Sequence, residues 1–252
     1  MIFYFSATGN SKYVAERIAS ATDDRLISLR DAVRARRYRY DVSREARIGF
    51  AAPVYFQGLP SILQFFLEKL ELTGYREQYI YVVLTCGQWT GDAAGQLAKA
   101  LKKKGLTLSA QFGIQMVDNY IPAFTMPDEE EAARILDAAE GPIDEAIRAI
   151  RSMGAGDYNR HRGVNLTAAA YPIYSRGRST KPFVVTGHCI GCGLCQEVCP
   201  CGAIAIAGGK PAWVKPKCVQ CLGCLHRCPA QAIHWKKPEE NRGRYYNPRV
   251  EA

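Results

Sequence analysis

One feature restricts this chain more than any other: a cysteine pattern that occurs twice. Cys189, Cys192, Cys195, Cys199, Pro200, Ala203 and Ile204 recur 29 residues later as Cys218, Cys221, Cys224, Cys228, Pro229, Ala232 and Ile233. Each copy reads C-x-x-C-x-x-C-x-x-x-C-P. Nine of the ten cysteines lie between Cys189 and Cys228, leaving only Cys86 for the rest of the 252 residues. Crowding of this kind points to metal ligation rather than to disulfide staples. Zinc also uses C-x-x-C pairs, but it needs four ligands per site, not a triple plus one repeated in full.

The run resembles the bacterial two-cluster ferredoxins, in which three cysteines hold one cluster and the fourth reaches across to the other. The resemblance implies two [4Fe-4S] clusters in a small α+β domain. One would take Cys189, Cys192, Cys195 and Cys228, the second Cys218, Cys221, Cys224 and Cys199. Cys201 aligns with Ala230 in the repeat, so its position does not require a thiol, and it is expected not to be a ligand. His226 is expected to be a surface residue or to tune a cluster, not to ligate one.

The first 150 or so residues carry a different rhythm. Short β-rich runs at 2–5, 26–29, 48–52, 79–85 and 106–116 alternate with helical periods such as Val14/Ile18, Ile62/Phe66/Leu70 and Leu97/Leu101. Alternation of strand and helix predicts an α/β fold of five strands and about five helices, with a parallel sheet covered on both faces. Residues 152–182, rich in Gly, Pro and basic side chains, predict a connector with little structure of its own. The expected organisation is 1–151, the connector 152–182, a cysteine domain at 183–236 and a tail at 237–252.

Directly after the first strand, Ser6, Thr8, Gly9, Asn10 and Ser11 lead into a helical period. A helix N-terminus offers unpaired N–H groups, hydroxyls add donors, and glycine lets the backbone approach, so this turn suits a phosphate. Neither a Walker motif nor G-x-G-x-x-G is present here. The loop resembles the S/T-x-T-G-x-T phosphate loop of flavodoxins, with Ser11 in place of the final Thr. That resemblance implies a flavodoxin-like sheet of order 2-1-3-4-5 with FMN at the switch point. Its ring would lie among Pro53, Val54, Tyr55, Phe56 and Gly58 after the third strand, and Thr85, Cys86, Gly87, Gln88, Trp89 and Gly91 after the fourth. Both loops, 53–60 and 85–91, lack acidic residues, which predicts a less negative second reduction step and little semiquinone; the alternative is that Asp118 or the acidic run at 128–131 folds nearby and supplies the same field.

Over nearly its full length, including the tail from Gly243 to Pro248, the chain resembles the flavodoxin-like/ferredoxin fusion proteins of anaerobes. The implied role is electron transfer between a two-electron flavin, one-electron clusters and external redox proteins or a small acceptor. Two alternatives stand: a flavin-dependent reductase of a quinone or other small acceptor, and a redox-sensing or scaffold protein that binds a macromolecule. The formal charge of +9 falls to roughly +3 once clusters and a flavin phosphate are counted. Nucleic acid is therefore not expected, and Arg34, Arg36, Arg37 and Arg39, interleaved with Tyr38 and Tyr40, read as a solvated loop. The apolar start Met1-Ile2-Phe3-Tyr4-Phe5 is too short for a signal peptide and no run approaches a membrane span, so a reducing cytoplasm is the expected location.

Overall fold

The computed structural model describes residues 1–237 and 242–251. The parts of the expected tail at 238–241 and at 252 lie outside the described residues. In chain order the first region runs β1 (Ile2–Tyr4), α1 (Asn10–Thr22), β2 (Leu26–Ser28), α2 (Leu29–Arg34), β3 (Arg39–Asp41) and β4 (Arg47–Pro53). It continues with α3 (Ser61–Lys69), β5 (Glu71–Thr73), β6 (Tyr79–Cys86), α4 (Ala93–Lys102), β7 (Ala110–Gln115) and α5 (Glu129–Arg151). Next come β8 (Gly156–Asp157) and α6 (Thr167–Arg176). The cysteine region holds β9 (Phe183–Val185), α7 (Leu194–Glu197), β10 (Ile204–Ala207), β11 (Lys210–Trp213), α8 (Gly223–His226) and β12 (Ile233–Trp235).

Every strand pairing in the main sheet is parallel, in the order β2-β1-β4-β6-β7-β8. Its first five members reproduce the expected 2-1-3-4-5. The sixth, β8, adds a two-residue edge from the segment expected to be unstructured. Strand residues alternate between two apolar layers because successive side chains point to opposite faces. Phe3, Phe50, Val82 and Leu84 pack under α2, α3 and α4 with Leu63, Phe66, Leu97 and Leu101. Ile2, Tyr81, Val83, Phe112 and Ile114 pack with Val14 and Ile18 of α1 and Leu136, Ile143 and Ile150 of α5. Each such side chain stabilises the fold by roughly 1.5–3 kcal/mol when fully buried. Asp128 caps α5 by accepting from the Glu131 N–H at 2.8 Å, and Glu129, Glu130 and Glu131 fill the first turn where the helix dipole favours anions.

Two expectations need correction. The Arg/Tyr stretch is a loop only in part: Arg34 ends α2, residues 35–38 form the turn, and Arg39 and Tyr40 belong to β3, which pairs in parallel with β5. Tyr40 turns inward, edge-on to Phe3 at 4.9 Å between centroids, while Arg34, Arg36, Arg37 and Arg39 stay exposed. The connector is not featureless either, because its basic and glycine-rich composition conceals the apolar Ala168–Tyr174 stretch of α6. Tyr174 of that helix is buried, and its hydroxyl accepts from the Ser61 N–H (3.0 Å) and donates to the Val219 carbonyl (3.0 Å). α6 is thereby tied to both the α/β region and the cysteine region. Among the described residues no helix is long and apolar enough to cross a membrane.

Candidate functional site

The turn after β1 is held by its own polar side chains. Gly9 is the N-cap of α1 with φ 96°, a conformation that favours glycine. A Cβ there would also sit 2.7 Å from both Asn247 Cβ and Val250 Cγ2. The Gly9 N–H donates to Ser6 Oγ (3.1 Å), and Asn119 Nδ2 donates to Thr8 Oγ1 (2.5 Å), so both hydroxyl protons remain free to donate elsewhere. Ser11 Oγ lies 2.7 Å from Thr85 Oγ1, joining the turn to the end of β6. Asn10 Nδ2 donates to the Val117 carbonyl (3.0 Å), and Asn10 Oδ1 accepts from Tyr245 O–H (2.6 Å) and Asn247 Nδ2 (3.2 Å). The Asn247 N–H reaches the Thr8 carbonyl at 2.8 Å. The C-terminal residues are therefore strapped across the turn.

A cavity of about 350 Å³ opens beside this turn, at the C-terminal ends of β1, β4, β6 and β7. That volume falls in the roughly 300–1,000 Å³ range of small-molecule sites. Of the residues singled out from sequence, Ser6, Thr8, Asn10, Ser11, Pro53, Val54, Tyr55, Phe56, Thr85, Cys86 and Gly87 line it. Gly9, Gly58, Gln88, Trp89 and Gly91 do not. Gly58 packs beneath α6, where a Cβ would meet the Tyr171 ring at 2.2 Å, and Gly91 packs against Gln57. Trp89 lies over Gly163 and is 45% exposed.

Tyr55 and Gly58 exchange backbone bonds (2.9 and 3.0 Å) around Phe56 and Gln57, which both have positive φ (51° and 60°). Two-residue turns of this shape normally carry Asn or Gly, so Phe56-Gln57 is strained, by on the order of 1–3 kcal/mol per residue. α6 offsets that strain: Thr167 Oγ1 donates to the Gln57 carbonyl (2.9 Å), and Gln57 Oε1 accepts from the Leu166 N–H (2.7 Å). Phe56 is thus held in the cavity wall, stacked with Tyr174 at 5.8 Å and edge-on to Tyr120 at 5.3 Å. Burial pushes the Cys86 thiol up to about 12, with Asp118 nearby adding to the shift, so it stays neutral.

Gln220, Cys221 and Leu222, from the second cysteine run, also form part of this wall. Burial raises the Tyr55 phenol well above its usual value, and the Cys221 thiol beside it adds to the effect. In each run two left-handed residues roll the backbone around the cysteines: Gly191 and Gly193 in the first, Gln220 and Leu222 in the second. Cys189, Cys192, Cys195 and Cys228 share one small cavity. Cys218, Cys221 and Cys224 are each raised chiefly by burial and further by Cys199, although among the described residues no three His, Cys, Asp or Glu side chains stand close enough together to hold a single metal ion. Burial takes Cys218 to about 11 and Cys221 to about 12, which favours the neutral thiols. The Cys201 S–H, whose sulfur lies 3.9 Å from Cys199, helps hold the Cys199 thiol below its usual value, together with the Ala203 N–H at 3.2 Å. The equivalent Ala232 N–H reaches Cys228 Sγ at 3.3 Å.

Asp118, weighed from sequence as a source of negative charge outside the two loops, stands in the cavity wall with its carboxylate packed against Gly87, so the site is not free of acidic groups. Sequence reasoning missed other participants. Tyr174, Tyr245 and Asn247 reach the site from segments far along the chain, and no local motif marks them. His226 is buried, not on the surface. Its Nδ1 accepts from the Tyr245 N–H (3.2 Å), so its Nε2 carries the proton and donates to the Asn119 carbonyl (2.8 Å). Burial holds the imidazole down at about 4, in keeping with the neutral form.

Residues 1–125 match the family described as flavodoxin domain, and residues 188–233 match the 4Fe-4S dicluster domain. The first implies a flavin, the second iron–sulfur clusters. A "Ferredoxin-like protein in nif region" of Trichormus variabilis is 38% identical over 48 residues, 19% of this chain and 41% of the relative. A component of an ion-translocating oxidoreductase complex of Methanosarcina acetivorans is 35% identical over 60 residues, 24% of this chain and 22% of that one. The chain thus spans about two fifths or less of the length of these curated relatives. Among solved structures, an NAD(P)H:quinone oxidoreductase from Methanothermobacter marburgensis aligns with a TM-score of 0.40 at 14% identity, covering 62% of this chain and 96% of that one.

Proposed function

We propose, from the premise that this chain joins a flavodoxin domain to a 4Fe-4S dicluster domain, that it binds FMN and two [4Fe-4S] clusters and passes electrons between them and external redox partners. The flavin unit would occupy 1–151 and the cluster unit 183–236, joined by 152–182. Ten unpaired cysteines suit a reducing cytoplasm. The observation that carries the reading is a shared wall: Cys221 lines the same cavity as the hydroxyl-rich turn after β1.

The residues fit an FMN. The first-turn N–H groups of α1 have no acceptor within the helix, and with the free Ser6 and Thr8 hydroxyl protons they offer donors for one phosphate. Tyr55, Phe56 and Tyr120 supply an apolar, aromatic wall for a planar ring. The thiols fit iron–sulfur cores. Most of the thiols in the two groups of four are buried or partly buried, and a cation would favour their deprotonation. When bound, the flavin supplies two-electron capacity and each cluster one-electron capacity.

Anaerobically purified protein should contain about eight iron and eight acid-labile sulfide per chain, and flavin released by heating should run as FMN. Chiefly zinc, or about four iron, would refute the cluster assignment. Thr8→Glu, which sets a carboxylate where the phosphate would bind, should weaken FMN binding more than about tenfold, on the order of 1.4 kcal/mol or more. Unchanged binding would place the phosphate elsewhere.

A further inference from the structure

The two cysteine runs are near-copies in sequence, yet they face opposite surroundings. Ile190 of the first run is 69% exposed, whereas its counterpart Val219 is 3% exposed and belongs to the apolar core of the α/β region. Cys192 is exposed; its counterpart Cys221 lines the cavity. Gly191 and Gly193 become Gln220 and Leu222, which hold the same left-handed backbone but add side chains to the cavity wall. Tyr174 closes this side further, its hydroxyl bonded to the Val219 carbonyl.

Building on the function proposed above, we infer that the two four-cysteine sites have fixed and different duties. The Cys218/Cys221/Cys224/Cys199 site serves the flavin cavity, and the Cys189/Cys192/Cys195/Cys228 site is the port for an external one-electron carrier protein. Exchange at the port is a single electron: the carrier loses one and the site gains one, or the reverse, and no bond is made or broken. The port's surroundings define the carrier. Ile190 offers an apolar contact, His188 and Lys210 are exposed nearby, and the Gly208-Gly209 turn abuts Gly191. Of the six Lys or Arg in residues 183–237, set against one acidic residue, Glu197, the port side carries Lys210, while Lys215 and Lys217 bond the Cys201 and Arg176 carbonyls and Arg227 covers Tyr246. A carrier with an acidic docking face complements that surface, and its association should slow with added salt.

Two measurements on full-length, flavin- and iron-loaded protein test the assignment. By electron paramagnetic resonance, fast spin relaxation of the one-electron-reduced flavin should survive in Cys192→Ser, which disrupts the port site, and be lost in Cys224→Ser, which disrupts the other. The opposite pattern overturns the order. Ile190→Glu removes no ligand, and because Ile190 lines the port cavity, iron content and the flavin relaxation signal equal to wild type show that both clusters remain. The substitution should slow reduction by a reduced acidic two-cluster bacterial ferredoxin by roughly tenfold or more. Phe124→Glu, at the 50% exposed rim of the cavity, should slow it less. Slowing by Phe124→Glu but not by Ile190→Glu would mean that the carrier reaches the flavin directly. Protein that contains no flavin or no iron by analysis refutes the underlying function; full loading with equal relaxation in both cysteine variants refutes only the division of duties.

Discussion

The α/β region and the cysteine region are stabilised by different means. The first buries large side chains on both faces of its sheet, and Phe3, Phe50, Phe66, Tyr81, Ile18 and Leu63 are fully enclosed. Among the described residues, the second has no member in the set of largest fully buried side chains; its core combines Ala203, Ile204, Leu225 and Ile233 with Phe183, the partly buried Trp213 and Trp235, and cysteines. About fifty residues cannot enclose a sizeable hydrophobic core, so a domain of this size depends on bound metal. One region should therefore fold without its cofactor, and the other should not.

Removing iron is the sharpest way to expose that difference. Chelation under anaerobic conditions should open residues 183–237 to proteolysis while 1–151 stays protected, because structural metal binding supplies folding free energy on the order of 10 kcal/mol. Protection of the cysteine region in the iron-free protein would mean that docking on the α/β region suffices to hold it. Phe50→Ala attacks the opposite side of the comparison. It should cost about 3–5 kcal/mol and lower the melting temperature, while the protein that remains folded keeps its full iron content. Equal loss of iron would show the two regions to be one cooperative unit.

Asn247→Ala probes the strap that joins the chain's end to its beginning. It removes the bond to Asn10 and empties a fully buried position, for a cost of about 1–3 kcal/mol, and flavin should dissociate faster. A flavin affinity equal to wild type would confine the strap to stability alone. Cys201→Ser should have the smallest effect: iron content unchanged, in contrast to Cys192→Ser or Cys221→Ser. Iron loss matching those two variants would make Cys201 a ligand, placed as it is 3.9 Å from Cys199.

Much of the design was written locally. The cysteine spacing, the turn at residues 6–11 and the strand–helix alternation each depend on residues within a few positions of one another, and such patterns are legible without a structure. Less legible were residues whose signal conflicted with their composition. Four exposed arginines masked the short β3 and its inward Tyr40, and glycine-rich flanks masked α6, which holds the strained Phe56-Gln57 turn.

By itself, the sequence determined the repeated cysteine spacing, the parallel sheet and the character of the turn after β1, because side-chain chemistry at fixed spacing decides these. Only the tertiary structure decided which cysteine run meets the cavity. The runs are too alike for their own residues to settle it, and the choice rests on long-range contacts: Val219 against the α/β core, Tyr174 on its carbonyl, and Tyr245 and Asn247 on Asn10. Contacts between residues so far apart in the chain leave no period or motif in a single sequence, since either end of such a pair is chosen by packing against a surface that exists only after folding.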